Sequence, residues 1–164
     1  MHQSVMDWMT RTVAAYDLAA GSVLEVGSWN CNGTVRGLFT GPYWGVDMID
    51  NDGVDQIVVP GGPLPDGPYD VVVCTEVLEH DARPWVTMRE MARVLAPGGH
   101  LLVTARGYDE RGCYEVHGAP EDYWRFTPDA LRFMAQDIPD LYLITAERDP
   151  EFPGAFLQAV KAGA

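Results

Sequence analysis

The sequence has little positive charge. It contains 11 lysine and arginine residues against 24 aspartates and glutamates, which gives a formal net charge of −13 at pH 7. Lysine is the rarer of the two basic residues and occurs once, at Lys161. Because such an acidic surface repels a phosphate backbone, the composition disfavours a general nucleic-acid-binding protein, although it is compatible with a local basic pocket.

Long apolar runs and paired cysteines are also absent from the sequence. No stretch approaches the roughly 20 apolar residues that cross a bilayer, and residues 1–12 (MHQSVMDWMTRT) lack the basic-then-apolar order of a secretion signal. The three cysteines, Cys31, Cys74 and Cys113, are scattered and form no CxxC spacing. We therefore expect a cytoplasmic protein that contacts no membrane and keeps its thiols reduced.

The length and composition predict one globular domain. The chain has 164 residues, of which 47% are hydrophobic and 21% are charged. A chain of this length buries roughly two-thirds of its unfolded surface. We find neither an internal repeat nor a linker, so the domain is expected to span residues 1–164.

Alternating strand and helix patterns predict an α/β fold. Apolar runs predict strands at residues 22–27, 43–49, 54–59, 69–75 and 100–105, and an antiparallel pair at 141–147 and 155–161. Helical spacing predicts helices at residues 5–16, 32–40 and 82–95, and another that begins at Thr127-Pro128 after a long loop at 106–126. This order predicts a Rossmann-like, doubly wound, mostly parallel sheet with an antiparallel C-terminal strand. Helices would cover both faces in an αβα sandwich, with the ligand crevice at the carboxyl ends of the strands.

One glycine turn and one acid point to a nucleoside-bearing cofactor. The segment VLEVGSWNCNG (23–33) predicts a strand, a turn at Gly27 and the start of a helix. The second strand ends in Asp47, whose carboxylate can accept hydrogen bonds from both ribose hydroxyls. Ser28-Trp29-Asn30 replaces the glycines of a full GxGxxG pattern. The same elements are compatible with a nicotinamide-dependent oxidoreductase, which we keep as an alternative.

Longer motifs are more specific than the turn. They are LEVGS (24–28), GVD (45–47), YDVVVCTEVLEH (69–80) and REMARVLAPGGHLLVTA (89–105), followed by VHGAPEDYWRFTPDAL (116–131). With these motifs the chain resembles the class I S-adenosylmethionine-dependent methyltransferases over nearly its whole length, in particular small bacterial members. The resemblance implies S-adenosylmethionine as cofactor and methyl transfer to an oxygen or nitrogen nucleophile.

The resemblance also implies the residues that would bind the cofactor. The methionine portion would lie among Glu25, Gly27 and Ser28, the ribose on Asp47 and the adenine against Met48. The backbone of Cys74 and Thr75 would line the sulfonium side. Trp29 either covers the cofactor or has a core or surface role. No acid follows the third strand before Asp66, so backbone near Gly61 or Gly62 would have to bind the adenine amino group.

The candidate catalytic residues follow the fourth and fifth strands. A hydroxyl or amine acceptor needs a base that removes its proton. We predict His80 or His117 as this base and Glu79 as a further catalytic residue; a packed loop histidine is the alternative for His80. Glu76, Glu79, His80 and His117 could instead bind a divalent metal for O-methylation, since the small-RNA 3′-terminal ribose methyltransferases use such a set. Some ubiquinone-pathway O-methyltransferases share the ExxEH string, and solvated loop carboxylates are the alternative. We expect that the site binds no metal ion.

The acceptor is expected to be a small molecule or an exposed group of a larger one. No cap domain is predicted, so the first helix and the 106–126 loop would shape its pocket, and a homodimer could complete an open pocket. Arg106, Arg111 and Arg125, with the aromatic residues around them, either bind the substrate or anchor this loop. A non-catalytic partner subunit that keeps the fold is the main alternative to an enzyme.

Overall fold

The computed structural model of the chain describes residues 2–108 and 121–163. These ranges contain helices α1 (Gln3–Ala15), α2 (Pro84–Val94) and α3 (Pro128–Gln136). The strands are β1 (Val23–Val26), β2 (Tyr43–Asp47), β3 (Gln56–Ile57), β4 (Tyr69–Thr75), β5 (Leu95–Arg106), β6 (Leu141–Arg148) and β7 (Gly154–Lys161). Two short 3-10 turns lie at Arg36–Leu38 and Leu78–His80.

All seven strands form one sheet. Their order is β3-β2-β1-β4-β5-β7-β6. Strands β1 to β5 pair in parallel, and β7 runs antiparallel to both of its neighbours, β5 and β6. The predicted α/β, Rossmann-like fold with an antiparallel C-terminal strand is confirmed.

The helices cover both faces of this sheet. On one face, α1 packs Val5 and Met9 into a core with Val71, Val73 and Phe156. On the other face, α2 and α3 pack onto the alternate strand residues, including Val72, Cys74, Leu101 and Val103. Because successive side chains of a strand point to opposite faces, burial of both faces explains the unbroken apolar run of β4. None of the helices in the two described ranges is long and apolar enough to cross a membrane.

The carboxyl ends of β1, β2 and β4 meet at one edge of the sheet. Val26 on the central strand pairs with Val46 on β2 and with Cys74 on β4. The chain leaves β1 through Gly27, which has φ +81°, and the backbone N–H of Gly27 donates to Val46 O at 2.8 Å. The β1–β4 boundary is the point where the strand order reverses, and such boundaries form crevices in doubly wound folds.

The predicted helix at 32–40 is wrong. The chain between β1 and β2 is irregular except for the turn at Arg36–Leu38. The side chain of Asn30 accepts a hydrogen bond from the backbone N–H of Gly33, and Asn30 N donates to Asp52 O. Asparagine and glycine favour such local turns over a helix. The loop after Gly27 therefore carries no helix N-terminus.

The boundaries of α2 and α3 agree closely with the sequence prediction. Pro84 is the first residue of α2, and the Thr127 side chain caps α3 by accepting a hydrogen bond from Ala130 N. The strand predicted at 100–105 begins earlier, because residues 95–99 are also part of β5, with a register shift between Tyr69 and Val71 of β4. Gly98 takes φ +79° there.

The described part of the 106–126 segment is anchored to the fold. Trp124 Nε1 donates to Asp81 O at 2.9 Å, and the Phe126 side chain is buried. Arg125 forms an ion pair with Asp122. These contacts favour the anchoring interpretation for Trp124 and Phe126. Arg111, Cys113 and His117 lie outside the described residues.

Two glycines with similar backbone angles provide a test of the turn after β1. Gly27→Ala is expected to destabilise the fold more than Gly98→Ala, measured as the free energy of unfolding in urea. Both positions have positive φ, which costs about 1–2 kcal/mol for alanine. Only the methyl group at position 27 would also overlap the Val77 side chain, whereas nothing lies within 4 Å of a Cβ at position 98. Overpacking adds roughly 1–3 kcal/mol.

The Gly27→Ala/Val77→Ala double variant separates the overlap from the backbone angle. Removal of the Val77 methyl groups should recover stability relative to Gly27→Ala. If Gly27→Ala and Gly98→Ala reduce the free energy of unfolding by the same amount, the Val77 contact is unimportant.

Candidate functional site

A cavity of about 670 Å³ opens at the carboxyl ends of β1, β2 and β4. Four segments form most of its wall: residues 25–29, 46–49, 58–62 and 75–77. Each segment is the end of a parallel strand with the loop that follows it. The volume lies within the range of about 300–1,000 Å³ that is usual for small-molecule and cofactor sites.

Most of the predicted cofactor-binding residues line this cavity. They are Glu25, Gly27, Ser28, Trp29, Asp47, Met48, Gly61 and Thr75. Cys74 does not line it, because its side chain is completely buried in the core under α2 and α3. The residues come from β1, β2, β4 and the loop after β3, so only the paired strands bring them together.

Asp47 connects the loops that follow β1 and β2. Its Oδ1 accepts hydrogen bonds from the backbone N–H groups of Met48 at 2.7 Å and Ile49 at 3.3 Å. Its Oδ2 accepts from Trp29 N at 3.2 Å. A carboxylate offers about four lone-pair positions, so an ordered Asp47 retains capacity for a hydroxyl donor in the cavity.

Glu25 is a buried carboxyl group in the cavity wall. It is 3% exposed, and its Oε2 accepts a hydrogen bond from the Tyr43 hydroxyl at 2.8 Å. Burial raises the pKa of Glu25 to about 7, against the lowering effects of the Tyr43 hydrogen bond and the Arg36 charge. The group can therefore change charge near neutral pH.

The side of the cavity beyond β2 and β3 is apolar. Val58, Val59 and Leu64 line it together with Met48 and Ile49. Val59 is 75% exposed and Met48 is 51% exposed, so this wall offers uncovered apolar surface. Gly61 and Gly62 add backbone without side chains. As expected from the sequence, no acidic side chain from residues 58–65 contributes here.

Of the predicted catalytic residues His80, Glu79 and His117, His80 lines the cavity. Glu76, which directly follows β4, lines it as well. Glu79 does not, because its side chain is fully buried behind this wall, and its two carboxylate oxygens have no hydrogen-bond partner among the described residues. His117 lies outside the described part of the chain.

One hydrogen bond defines the tautomer of His80. Its Nδ1 lies 2.6 Å from Glu121 O. Because a carbonyl oxygen can only accept, Nδ1 must carry the proton, and Nε2 of the neutral ring is then the basic nitrogen. Nε2 lies 4.0 Å from Glu79 Oε1.

Glu76 combines an unusual backbone with a half-buried side chain that lines the cavity. It has φ +55°, a conformation that non-glycine residues rarely adopt and that clusters at functional sites. The Thr104 hydroxyl donates to its Oε1 at 2.9 Å. Burial, and then the nearby Glu79 charge, raise the pKa of Glu76, and burial also raises the pKa of Glu79.

The described residues do not assemble the ExxEH metal set. They contain no group of three histidine, cysteine, aspartate or glutamate side chains that could hold a metal ion. Glu79, one of the four proposed ligands, is buried away from the cavity, unlike Glu76 and His80. We therefore derive no step that uses a metal.

Sequence reasoning missed several residues of the site, among them His2 and Tyr43. His2 lines the cavity, and its ring stacks on Phe152 at a centroid distance of 3.6 Å. The Arg106 Nη1 lies 3.1 Å from His2 Nε2. Tyr43 bonds Glu25 from the neighbouring strand. Neither residue lies in a recognisable motif. Both contacts form only when separate segments of the chain come together in the fold.

The cavity and fold agree with comparisons to known proteins. A family model described as a methyltransferase domain matches residues 42–103. The ubiquinone biosynthesis O-methyltransferase of Marinobacter nauticus is 50% identical over 38 residues, which are 23% of this chain and 16% of that relative. This match therefore spans less than a fifth of the curated relative.

Solved structures match over nearly the whole chain. The 1,6-didemethyltoxoflavin-N1-methyltransferase of Burkholderia thailandensis, solved with S-adenosylhomocysteine, has a TM-score of 0.74 and 16% identity. The match covers 96% of this chain and 78% of that protein. The magnesium protoporphyrin IX methyltransferase of Synechocystis PCC 6803, also solved with S-adenosylhomocysteine, has a TM-score of 0.66 and 14% identity. That match covers 98% of this chain and 83% of that protein.

These similarities show the fold of the chain. The seven-stranded sheet with its antiparallel β7 is shared with the solved S-adenosylmethionine-dependent methyltransferases. The methyltransferase-domain match adds a similarity in sequence over residues 42–103.

Glu76→Gln is expected to increase the free energy of unfolding at pH 8 by about 1–2 kcal/mol. The folded protein raises the pKa of this carboxyl group above its unfolded value. The protonated Glu76 carboxyl group therefore contributes fully to the free energy of unfolding below its pKa in the unfolded chain. This contribution is lost as the pH rises through its pKa in the folded protein. Glutamine removes this charge, and its oxygen can still accept from Thr104. Urea denaturation at pH 5 and pH 8 measures the effect.

The exposed Glu151 offers a control of the same chemistry. Glu151→Gln should leave the pH dependence of unfolding unchanged. If Glu76→Gln behaves in the same way, the Glu76 carboxyl group does not influence stability as we infer.

Proposed function

We propose that this protein binds S-adenosylmethionine in the cavity and transfers its methyl group to an oxygen or nitrogen atom of a small molecule. The observation that carries the proposal is the convergence of Glu25, Asp47 and the apolar wall beyond β2 on one cavity at the β1–β4 boundary. These three features suit the cationic, sugar and adenine parts of the cofactor.

The cofactor would lie across the ends of β1 and β2. Asp47, held by three backbone N–H groups, would accept a hydrogen bond from a ribose hydroxyl. The adenine would pack between Met48 and Val59, with backbone at Gly61 available for its polar edge. Glu25 would bind the ammonium group of the methionine portion.

When bound, the cofactor supplies an activated methyl group with a good leaving group. The protein then has to align the acceptor with this methyl group and remove the acceptor's proton. His80 Nε2 is our proposed base, because the bond from Nδ1 to Glu121 O leaves Nε2 unprotonated in the neutral ring. Glu76, which also lines this wall, is a further candidate for this role.

The charges around the cavity favour a neutral or cationic acceptor. The wall contains five acidic residues, Glu25, Asp47, Glu76, Asp81 and Glu121, and neither lysine nor arginine among the described residues. An anionic acceptor would be repelled. The relatives named above include an O-methyltransferase and an N-methyltransferase, so the proposal covers both kinds of nucleophile.

Asp47→Ala is expected to weaken S-adenosylhomocysteine binding by at least about tenfold, because it removes the ribose acceptor and releases the N–H groups that it holds. Isothermal titration calorimetry measures the affinity. Asp50→Ala, which removes an exposed carboxylate three residues later, should bind like the wild type. The absence of binding by the wild type, or equal binding by Asp47→Ala, would contradict the proposed site.

His80→Gln is expected to reduce methyl transfer by about 100-fold or more, because a positioned base typically contributes 10²–10⁴-fold. The assay follows transfer from tritiated S-adenosylmethionine to a panel of neutral and cationic phenols and amines. Binding of S-adenosylhomocysteine should change by less than about twofold, since His80 acts on the acceptor.

His100→Gln is the matched control for this experiment. His100 pairs with Val71 towards the amino end of β4, at the opposite edge of the sheet from the cavity. Its replacement should retain wild-type transfer. Cofactor binding without transfer to any panel member would instead support the non-catalytic alternative.

A further inference from the structure

We propose that Tyr43 is a positioning residue for cofactor binding, because its hydroxyl group orients the Glu25 carboxylate towards the ammonium group of the cofactor. This inference rests on the proposed function of the cavity. It adds a second-strand residue outside the recognised motifs and makes cofactor affinity depend on pH.

The register of β1 and β2 allows Tyr43 to reach Glu25. Glu25 pairs with Gly45, and Val23 pairs with Tyr43. Residues two apart on a strand share a face, so Tyr43 lies on the same side of the sheet as Glu25. Because Gly45 has no side chain, the direct partner of Glu25 supplies no hydrogen-bonding group, and the Tyr43 hydroxyl occupies this role at 2.8 Å from Oε2.

Tyr43 is itself held in place from the other side. The Arg36 guanidinium lies 4.8 Å from the centroid of the Tyr43 ring, and Arg36 Nη2 donates to Tyr43 O at 3.3 Å. Arg36 also pairs with Asp55 at 3.0 Å, and the Phe39 ring packs 5.7 Å from the Tyr43 ring. A tyrosine restrained by these contacts can fix the position of a carboxylate.

Among the described residues, the titratable and charged groups that influence Glu25 are Tyr43 and Asp47 on β2 and Arg36 from the turn before β2. The buried thiol of Cys74 on β4 lies across the sheet from it. Burial raises the pKa of Glu25 to about 7, Tyr43 and Arg36 oppose this shift, and Asp47 adds to it. An ionised Glu25 attracts the ammonium group, so affinity should fall as pH falls through this range.

Tyr43→Phe removes the hydroxyl and leaves the ring. The experiment compares the Kd for S-adenosylhomocysteine of wild type and variant at pH 6, 7 and 8.5 by titration calorimetry. Loss of a hydrogen bond to the carboxylate should raise the pKa of Glu25 by about one unit. The variant should then bind about fivefold more weakly at pH 7 and nearly tenfold more weakly at pH 6, but less than about twofold more weakly at pH 8.5. The ratio of the two Kd values cancels the titration of the ligand.

A second ligand separates orientation of Glu25 from general damage. 5′-Methylthioadenosine contains the adenosine and the sulfur atom but no ammonium group. Its affinity for Tyr43→Phe should equal that of the wild type. Tyr142→Phe, which changes an exposed tyrosine on β6, should leave both ligands unaffected.

The outcomes distinguish this inference from the proposed function. A wild-type protein that binds neither ligand would overturn the proposed function itself. Wild-type binding combined with an unchanged Kd for Tyr43→Phe would overturn only the role of Tyr43. A weakening that is the same at all three pH values, or that extends to 5′-methylthioadenosine, would show a structural role for the tyrosine and would also overturn the inference.

Discussion

The parallel pairing of β1 with β2 and β4 is the constraint on which the site depends. Its register places the carboxyl ends of three strands at one edge, where the chain must turn away from the sheet. Glu25 lies within the central strand, Asp47 ends β2 and Glu76 follows β4. These carboxyl groups face one cavity because backbone hydrogen bonds between strands fix their relative positions, as well as those of the loops that follow.

Buried acidity is the main electrostatic feature of this cavity. Taking a carboxyl group out of water disfavours its charged form, and burial raises the pKa values of Glu25, Glu76 and Glu79 accordingly. Such groups reduce stability when they ionise at neutral pH. A cationic ligand would offset this cost in the cavity, and in the chemistry proposed here the cofactor carries that charge.

Much of the fold follows from patterns that the sequence displays locally. The unbroken apolar run of β4 indicates a strand covered on both faces, and Thr127-Pro128 marks the start of α3, as the structure confirms. The helix predicted at 32–40 is wrong because Asn30 and Gly33 favour a local turn over the helix that the residue spacing indicates. Their hydrogen bond is local, so this error was avoidable from the sequence.

The sequence by itself determined the strands, the turn at Gly27 and the position of Asp47 at the end of the second strand, because each depends on neighbouring residues and on strand order. The tertiary structure alone decided which residues of one motif line the cavity and which are buried behind it. Glu76 and Glu79 are three positions apart, yet only Glu76 lines the cavity, since its positive φ and the 3-10 turn after it direct the two side chains differently. The Tyr43–Glu25 contact was likewise beyond sequence reasoning, because it exists only once two distant strands pair in register.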